Sequence, residues 1–369
     1  MRQESTIGVG LIGANADRGW ARAAHIPALR ADPRYDLVAV GTSNATSAQR
    51  AAETFGAGYG YSDVRALMEH PDVDLVVISV KVPYHRELTL AAIEAGKMVF
   101  CEWPLGNGLA ETTELARAAA AKNIRTMVGL QAREAPVFRY IRDLVMSGVI
   151  GEVLSTTLIG SGMAWGPAMP ADAVFAADKA NGVTMLMIPF GHAIDAVCSC
   201  LGEIGGFQSL LANRRTSTTI LETGEHRALT AEDQLAVIGF LQSGAPIIAH
   251  YRGGVSRGTN FRWEINGTKG DLVVTGDSGL PEMTDLVLQR ATGDMVKLEV
   301  NDIPADYACA PEAPVGVAFN VAQLYRRFAS DIEKSEQTVP DFGDALARHR
   351  MLDEIERAAR RSRSIWAPD

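Results

Sequence analysis

His192, in the run Phe190-Gly191-His192-Ala193-Ile194-Asp195, is the side chain best suited to acid–base chemistry. An unperturbed imidazole titrates near neutrality and can take and return a proton within one cycle. A hydrogen-bonded core histidine at a helix start is the competing structural role. Lys81 and His85 lie at the end of an apolar run, on either side of Val82-Pro83-Tyr84, and Lys81 is a second group able to move a proton. A different chemistry is carried by Gly13-Ala14-Asn15-Ala16-Asp17-Arg18-Gly19-Trp20, which follows the apolar run Ile7 to Ile12. A tight turn at a strand end brings backbone N–H groups and a helix N-terminus to a pyrophosphate. Gly8-x-Gly10-x-x-Gly13 also fits a glycine-rich spacing, but Gly8 and Gly10 fall inside the strand. The working register therefore begins at Gly13. Asn15 then takes the second-glycine place, which suits Asn because it tolerates positive φ. The turn reads as a dinucleotide site, with a plain βα connection as the alternative.

The stretch after the second strand, Val40-Gly41-Thr42-Ser43-Asn44, has no carboxylate to hold ribose hydroxyls. Thr42 and Ser43 suit a 2′-phosphate, with Arg50 in reach, so NADP is favoured slightly over NAD. The alternative is that these hydroxyls cap the next helix. Ser79, at the end of the third main strand, and Lys81 and His85 occupy the region where open α/β sheets bind ligands. Trp165 opens a long Ala-, Pro- and Gly-rich loop to Ala180 that also carries Asp172, Asp178 and Lys179. Trp165 reads either as a wall of a substrate pocket or as a core residue, and the three charges as solvated. Cys101, Cys198, Cys200 and Cys309 have no partners at zinc spacing, and no metal is expected. They read as reduced thiols.

These residues need a frame. Ile7 to Ile12, Leu37 to Val40, Leu75 to Val80, Met98 to Cys101 and Ile124 to Gly129 read as strands, separated by helical segments Ser47 to Phe55, Val64 to Met68 and His85 to Ala95. Such alternation implies right-handed βαβ units and a parallel sheet. After Gly151 the texture changes. Glu152 to Gly160, Phe207 to Arg214, Leu235 to Gln242, Pro246 to Arg252 and Phe261 to Asn266 are strand-like, with hairpin turns at Ser243-Gly244-Ala245 and Gly267-Thr268-Lys269-Gly270. That texture predicts a mostly antiparallel sheet. Pro136 to Ser147 and Phe190 to Leu201 would cover one face, while Ala318 to Lys334 and Phe342 to Arg361 are amphipathic. The expected organisation is α/β: a Rossmann domain over 1–129, and over 130–369 an α/β domain whose C-terminal helices can pack back on the first.

The composition agrees. At 369 residues the chain is long enough for two cores, and 47% hydrophobic with 21% charged residues is ordinary for a globular protein. A net charge of −9 disfavours direct nucleic-acid binding. No apolar N-terminal region precedes the first strand, and no apolar run is read as a membrane span, so a cytoplasmic protein with no membrane partner is expected.

Ile78-Ser79-Val80-Lys81-Val82-Pro83-Tyr84-His85, Ala95-Gly96-Lys97-Met98-Val99-Phe100-Cys101-Glu102-Trp103-Pro104 and Ile265-Asn266-Gly267-Thr268-Lys269-Gly270 together resemble the Gfo/Idh/MocA oxidoreductases. Asn15 to Ala21, His25-Ile26-Pro27-Ala28, Leu130-Gln131-Ala132-Arg133 and Phe190 to Asp195 resemble the branch that holds the fungal galactose-pathway regulator and its bacterial relatives. The resemblance implies a Rossmann domain, a second domain with an open, mostly antiparallel sheet, and NAD(P)-linked chemistry on sugars or polyols. It also implies a homodimer or homotetramer joined through that sheet. With the residues read above, the candidate cofactor-binding set is Gly13, Asn15, Arg18, Gly19, Trp20, Thr42, Ser43, Ser79, Lys81, His85, Glu102, Trp103 and Gln131. Trp103, Arg133, Trp165 and His192 are the candidates to hold substrate, with an interdomain salt bridge as the alternative role of Arg133, and by the resemblance His192 faces the nicotinamide. Two departures stand out. The family's Glu-Lys-Pro lysine is Trp103 here, and an indole cannot relay a proton. The acid four residues before the family histidine is Ile188.

Two function classes follow. One is an NAD(P)-dependent oxidoreductase on a sugar, polyol, glycoside or related hydroxylated small molecule, with a variant that uses the cofactor transiently in a lyase or epimerase. The other is a non-catalytic dinucleotide sensor that binds a protein partner.

Overall fold

The computed structural model describes residues 6–366 of the chain, with the side chains of the last helix described as far as Arg361. The chain divides into two compact units. The first runs through Gln131 and takes back Ala308–His349; the second comprises Ala132–Tyr307 and the remainder of the C-terminus.

In the first unit six strands pair in parallel. They are β1 (Ile7–Ile12), β2 (Tyr35–Gly41), β3 (Tyr59–Tyr61), β4 (Leu75–Ile78), β5 (Met98–Cys101) and β6 (Thr126–Val128), and β1, β4 and β5 among them are largely apolar runs buried on both faces. Their order is β3-β2-β1-β4-β5-β6, the doubly wound arrangement whose strand order reverses beside β1 and opens a crevice at the carboxyl ends. The connections are α1 (Ile26–Arg30, preceded by a π-helical turn at Ala21–His25), α2 (Ala45–Phe55), α3 (Val64–Glu69), α4 (His85–Glu94) and α5 (Leu109–Ala121). Helix α2 starts where Asn44 accepts a hydrogen bond from the Ser47 N–H at 2.9 Å and stops at Gly56 in the left-handed region. The sequence reading passed over β3, which is short and half-exposed, and α5, whose Ala-rich run lacks a clear apolar period.

The second unit opens with α6 (Pro136–Met146), with Pro at its first position, where a missing N–H costs nothing. β7 (Val153–Ser161) leads to a small three-stranded sheet of β8 (Ala168–Met169), β10 (Ser217–Ile220) and β11 (His226–Ala228). Helix α7 (Gly191–Leu201) follows a π-helical turn at Leu186–Phe190. The main sheet adds β9 (Ile204–Ala212), β12 (Gln234–Leu241), β13 (Pro246–Arg252), β14 (Phe261–Gly267), β15 (Gly270–Gly276), β16 (Leu286–Thr292) and β17 (Glu299–Val300). Its order is β17-β16-β15-β14-β7-β13-β12-β9. All neighbours are antiparallel except β7 and β13, which pair in parallel from Thr156–Ile247 to Ser161–Arg252. The sheet is therefore mixed. Hairpins are legible as turns, whereas a parallel pair joined by an excursion of some eighty residues leaves no local signal.

One face of this sheet is core. Ile247, Ala249 and Tyr251 point inward on β13, and Trp263 on β14 stacks on Phe138 of α6 at 5.6 Å while its indole N–H donates to the Thr156 hydroxyl at 2.8 Å. The other face leaves Leu210, Ile238, Phe240 and Ile248 about half exposed. The helical stretch Lys179–Leu201 is, contrary to the sequence reading, long and apolar enough to cross a membrane, but its most apolar window is 78% buried within protein. After Tyr307 the chain rejoins the first unit as α8 (Val317–Lys334), whose Leu324, Tyr325 and Phe328 enter the same core as β1 and β2. Helix α9 (Phe342–Trp366) contributes residues to both units.

Candidate functional site

The carboxyl edge of the first sheet carries the expected turn in the expected register. Gly13 has φ +94°, and a Cβ there would stand 2.1 Å from the Ser79 carbonyl oxygen, so only glycine permits this approach of the β1 turn to the end of β4. Gly19 is also at φ +94°. Asn15 corrects one expectation: its φ is not positive. Its side-chain oxygen instead accepts from the N–H groups of Asp17 at 2.9 Å and Arg18 at 3.2 Å, which fixes the turn by a different device from a second glycine. The Arg18 side chain is exposed.

Beside this turn lies a cavity of about 490 Å³ lined by Gly13, Asn15, Thr42, Ser43, Lys81 and Tyr84, among others. Thr42 turns toward α2, with its hydroxyl 2.5 Å from that of Ser47, so it serves largely as part of the helix start. Ser43 is exposed at the cavity. Arg50 is not aimed at a phosphate: it pairs with Asp17 at 2.5 Å. Tyr84, which the sequence reading did not select, lines the cavity with its ring 60% exposed.

Three buried polar atoms along the same edge have no hydrogen-bond partner: Trp20 Nε1, Ser79 Oγ and Gln131 Oε1. Each costs about 1–3 kcal/mol unless something meets it. A dinucleotide, with phosphate acceptors, ribose hydroxyls and a carboxamide, offers the matching groups. The residues present therefore fit such a cofactor.

His85 is a correction. Its Nδ1 lies 2.8 Å from the Pro104 carbonyl and its Nε2 3.0 Å from that of Val80, and burial pushes its pKa down. It braces two loops and has no nitrogen left for a cofactor. Trp103 is a second correction. It is 5% exposed, with its ring 4.7 Å from that of His349 on α9, and is a core side chain of the first unit rather than an open wall. Burial drives the His349 pKa down to about 3. Glu102 stands next to Trp103, with its side chain 12% exposed and its Oε1 2.9 Å from His25 Nε2.

In the second unit His192 is the second residue of α7 and 5% exposed. Its Nδ1 is buried without a partner, and its Nε2 lies 3.6 Å from Oε1 of Glu282, itself 3% exposed. Glu282 sits in the short turn Pro281–Met283, ninety residues from His192, and belongs to no motif, so nothing in the sequence marked it. The pair restores an acid beside the histidine where Ile188 had removed one. Tyr251 is close enough that burial first, and the Glu282 charge second, raise its phenol well above the ordinary value.

The other substrate candidates are engaged elsewhere. Arg133 grips Asp195 with two bonds, Nε to Oδ2 at 2.7 Å and Nη2 to Oδ1 at 2.5 Å. The Trp165 indole is 3% exposed and donates to the Ala176 carbonyl at 3.0 Å, which corrects its assignment to a substrate wall. Lys179 pairs with Glu232 at 3.0 Å, and Asp178 accepts from the Ala180 N–H at 3.0 Å. Among the described residues no group of three or more His, Cys, Asp or Glu is placed to hold a metal ion, and none of the four cysteines is in a disulfide.

Residues 7–130 match the family described as oxidoreductase, NAD-binding Rossmann fold, and residues 136–276 match the Gal80p C-terminal domain. Dehydrogenase aclE of Aspergillus oryzae is 30% identical over 367 residues, with 96% of each chain covered. The chain belongs to the Gfo/Idh/MocA oxidoreductase family. Its fold is that of the family: a Rossmann NAD-binding domain and an α/β domain with an open mixed sheet. A super-repressor mutant of Gal80p from Saccharomyces cerevisiae superimposes with a TM-score of 0.88 at 23% identity, covering 97% of this chain and 96% of that one. Levoglucosan dehydrogenase in complex with NADH and levoglucosan superimposes at 0.83, with 23% identity over 96% and 97%. At these identities the two structures show the shared fold and no more.

Proposed function

We propose that this member of the Gfo/Idh/MocA family is a working NAD(P)-dependent oxidoreductase for a hydroxylated small molecule such as a sugar, polyol or glycoside. The observation that carries the reading is the buried His192–Glu282 pair. An imidazole and a carboxylate held together inside the second domain are groups suited to taking and returning a proton. When bound, the dinucleotide supplies a two-electron hydride acceptor. His192 takes the proton of the substrate hydroxyl as the carbon loses its hydride and becomes a carbonyl. Glu282 steadies the ring and offsets the imidazolium charge formed in that step. Arg133, locked on Asp195, keeps α7 in place behind His192.

The missing carboxylate after β2 and the exposed Ser43 favour NADP slightly over NAD. The half-exposed Leu210, Ile238, Phe240 and Ile248 favour a homodimer or homotetramer joined through the open sheet face. The same apolar face supports a second reading, in which dinucleotide binding governs the docking of a different protein, as the match to the Gal80p domain invites. No nucleic-acid or membrane partner is proposed, and the cytoplasm is the proposed compartment.

The test is a panel of sugars, polyols, glycosides and hydroxylated aromatics with NAD and NADP, following nicotinamide reduction. Turnover on some member, lost by roughly 100- to 10,000-fold in His192→Asn with dinucleotide affinity unchanged, is expected. Dinucleotide binding without turnover across the panel would decide for the second reading.

A further inference from the structure

The first unit contains a buried chain of polar side chains that the proposed chemistry does not use. Tyr325, on α8, places its hydroxyl 2.8 Å from Nδ1 of His25, and His25 Nε2 stands 2.9 Å from Oε1 of Glu102, a close polar approach whose angle falls outside hydrogen-bond geometry. His25 and Tyr325 are fully buried. The rings of Phe100 and Tyr325 meet His25 edge-on at 5.1 and 5.9 Å, and Tyr35 donates its hydroxyl to the Tyr325 carbonyl at 2.7 Å. Little else can move in such a cage.

The hydrogen-bond directions follow from what each group can do. A carboxylate only accepts, so the ring is oriented with Nδ1 accepting the Tyr325 O–H and with Nε2 as the nitrogen turned to Glu102. Tyr325 remains a donor because burial, then Tyr35 and Glu102, raise its phenol well above the ordinary value. The second carboxylate oxygen, Oε2, occupies the space a side chain would take at position 129: a Cβ on Gly129 would come within 2.4 Å of it. Glu102 is thus held from one side by His25 and given room on the other by the end of β6.

The place of Glu102 determines what it can serve. In a sheet of this order a dinucleotide straddles the reversal point, one half over β1–β3 and the other over β4–β6. The cavity with Gly13, Thr42 and Ser43 is on the β1–β3 side. Glu102 follows β5 directly, and Gln131, with its unmet Oε1, follows β6. We propose that Tyr325 and His25 are positioning residues that hold the Glu102 carboxylate for the nicotinamide riboside half of the dinucleotide. Helix α8, from the far end of the chain, thereby sets affinity for that half separately from the adenosine half. This rests on the dinucleotide reading of the first unit and not on turnover.

The experiment compares equilibrium binding of the whole dinucleotide with that of its adenosine fragment, which lacks the nicotinamide riboside. NAD is paired with ADP and NADP with 2′,5′-ADP, measured by calorimetry on the full chain. Loss of the polar contact that holds the Glu102 carboxylate should weaken the dinucleotide about tenfold in His25→Leu and leave the fragment within about twofold. His25→Gln, whose amide can still donate to Glu102, should recover most of the loss. Tyr325→Phe, which keeps the ring and removes only the hydroxyl, should cost about threefold on the dinucleotide alone and serves if His25→Leu does not fold. Equal losses for dinucleotide and fragment, or no loss in Tyr325→Phe and His25→Leu, would overturn the proposal while leaving the dinucleotide site intact. A wild-type protein that binds the fragment and the dinucleotide equally would overturn it too. One that binds neither removes the reading beneath it.

Discussion

The two units satisfy their polar groups in opposite ways. Along the carboxyl edge of the first sheet, Trp20, Ser79 and Gln131 each bury a polar atom that the chain leaves unmet. In the second unit the polar groups around α7 mostly answer one another: Arg133 holds Asp195, Trp165 holds a carbonyl, and Lys179 holds Glu232. His192 keeps a buried nitrogen without a hydrogen-bond partner, with Glu282 at its other side. The first unit is prepared for a ligand whose polar pattern is fixed in advance. On the proposed function, the second is a frame around one proton-handling group, and discrimination among substrates would fall to shape more than to charge.

Gly13→Val should damage the first unit most. The new side chain meets the Ser79 carbonyl in a backbone conformation that L residues avoid, and dinucleotide affinity should fall about 100-fold or more. Fluorescence titration checks this, and near-normal affinity would break the claim that the β1 turn is the cradle.

Trp103→Lys tests the departure from the family pattern. Because Trp103 is packed on His349, the variant should lose about 3 kcal/mol in denaturant unfolding and gain no polyol oxidation. Restored oxidation would mean that the family's lysine site is still open behind the indole.

A pH effect follows from the buried core histidines. His349 is neutral when folded, down to about pH 3, but takes a proton near the ordinary histidine pKa when unfolded. The unfolded chain then binds more protons, so stability present above the unfolded pKa is lost as pH falls from about 6.5 toward 3. His85, also depressed by burial, acts in the same direction. Urea midpoints should decline between pH 7 and pH 5, and less steeply in His349→Phe; a parallel decline in that variant would contradict the assignment.

The smallest effect is the most discriminating. Ser79→Ala removes a buried hydroxyl that has no partner, so the ligand-free protein should gain up to about 1 kcal/mol while dinucleotide affinity drops several-fold. Loss of both would show that Ser79 supports the fold instead of awaiting a ligand.

The sequence disclosed what is local. Apolar runs marked β1, β4 and β5 to within two residues, and the turn at Gly13 was placed in the right register because Gly8 and Gly10 fell inside a strand. The family was legible from motifs in order. What escaped depends on residues far apart in the chain. Glu282 meets His192 across ninety positions, the β7–β13 pair is parallel across a long excursion, and Tyr325 reaches His25 across three hundred. His85 and Trp165, chosen for their place in the chain and their chemical type, proved to spend their polar atoms on neighbouring carbonyls. Chemical type shows what a residue can do, and packing decides whether it is available.

The central claim is that the protein carries a dinucleotide and uses it for redox chemistry with His192. Native mass spectrometry of the gently purified protein, before and after exposure to the substrate panel, tests it most directly. The account predicts a mass increment for NAD or NADP, with the released nicotinamide converted between oxidised and reduced forms by at least one hydroxylated compound in the wild type and by none in His192→Asn. A dinucleotide that stays in one redox state throughout, or equal conversion by His192→Asn, would contradict it.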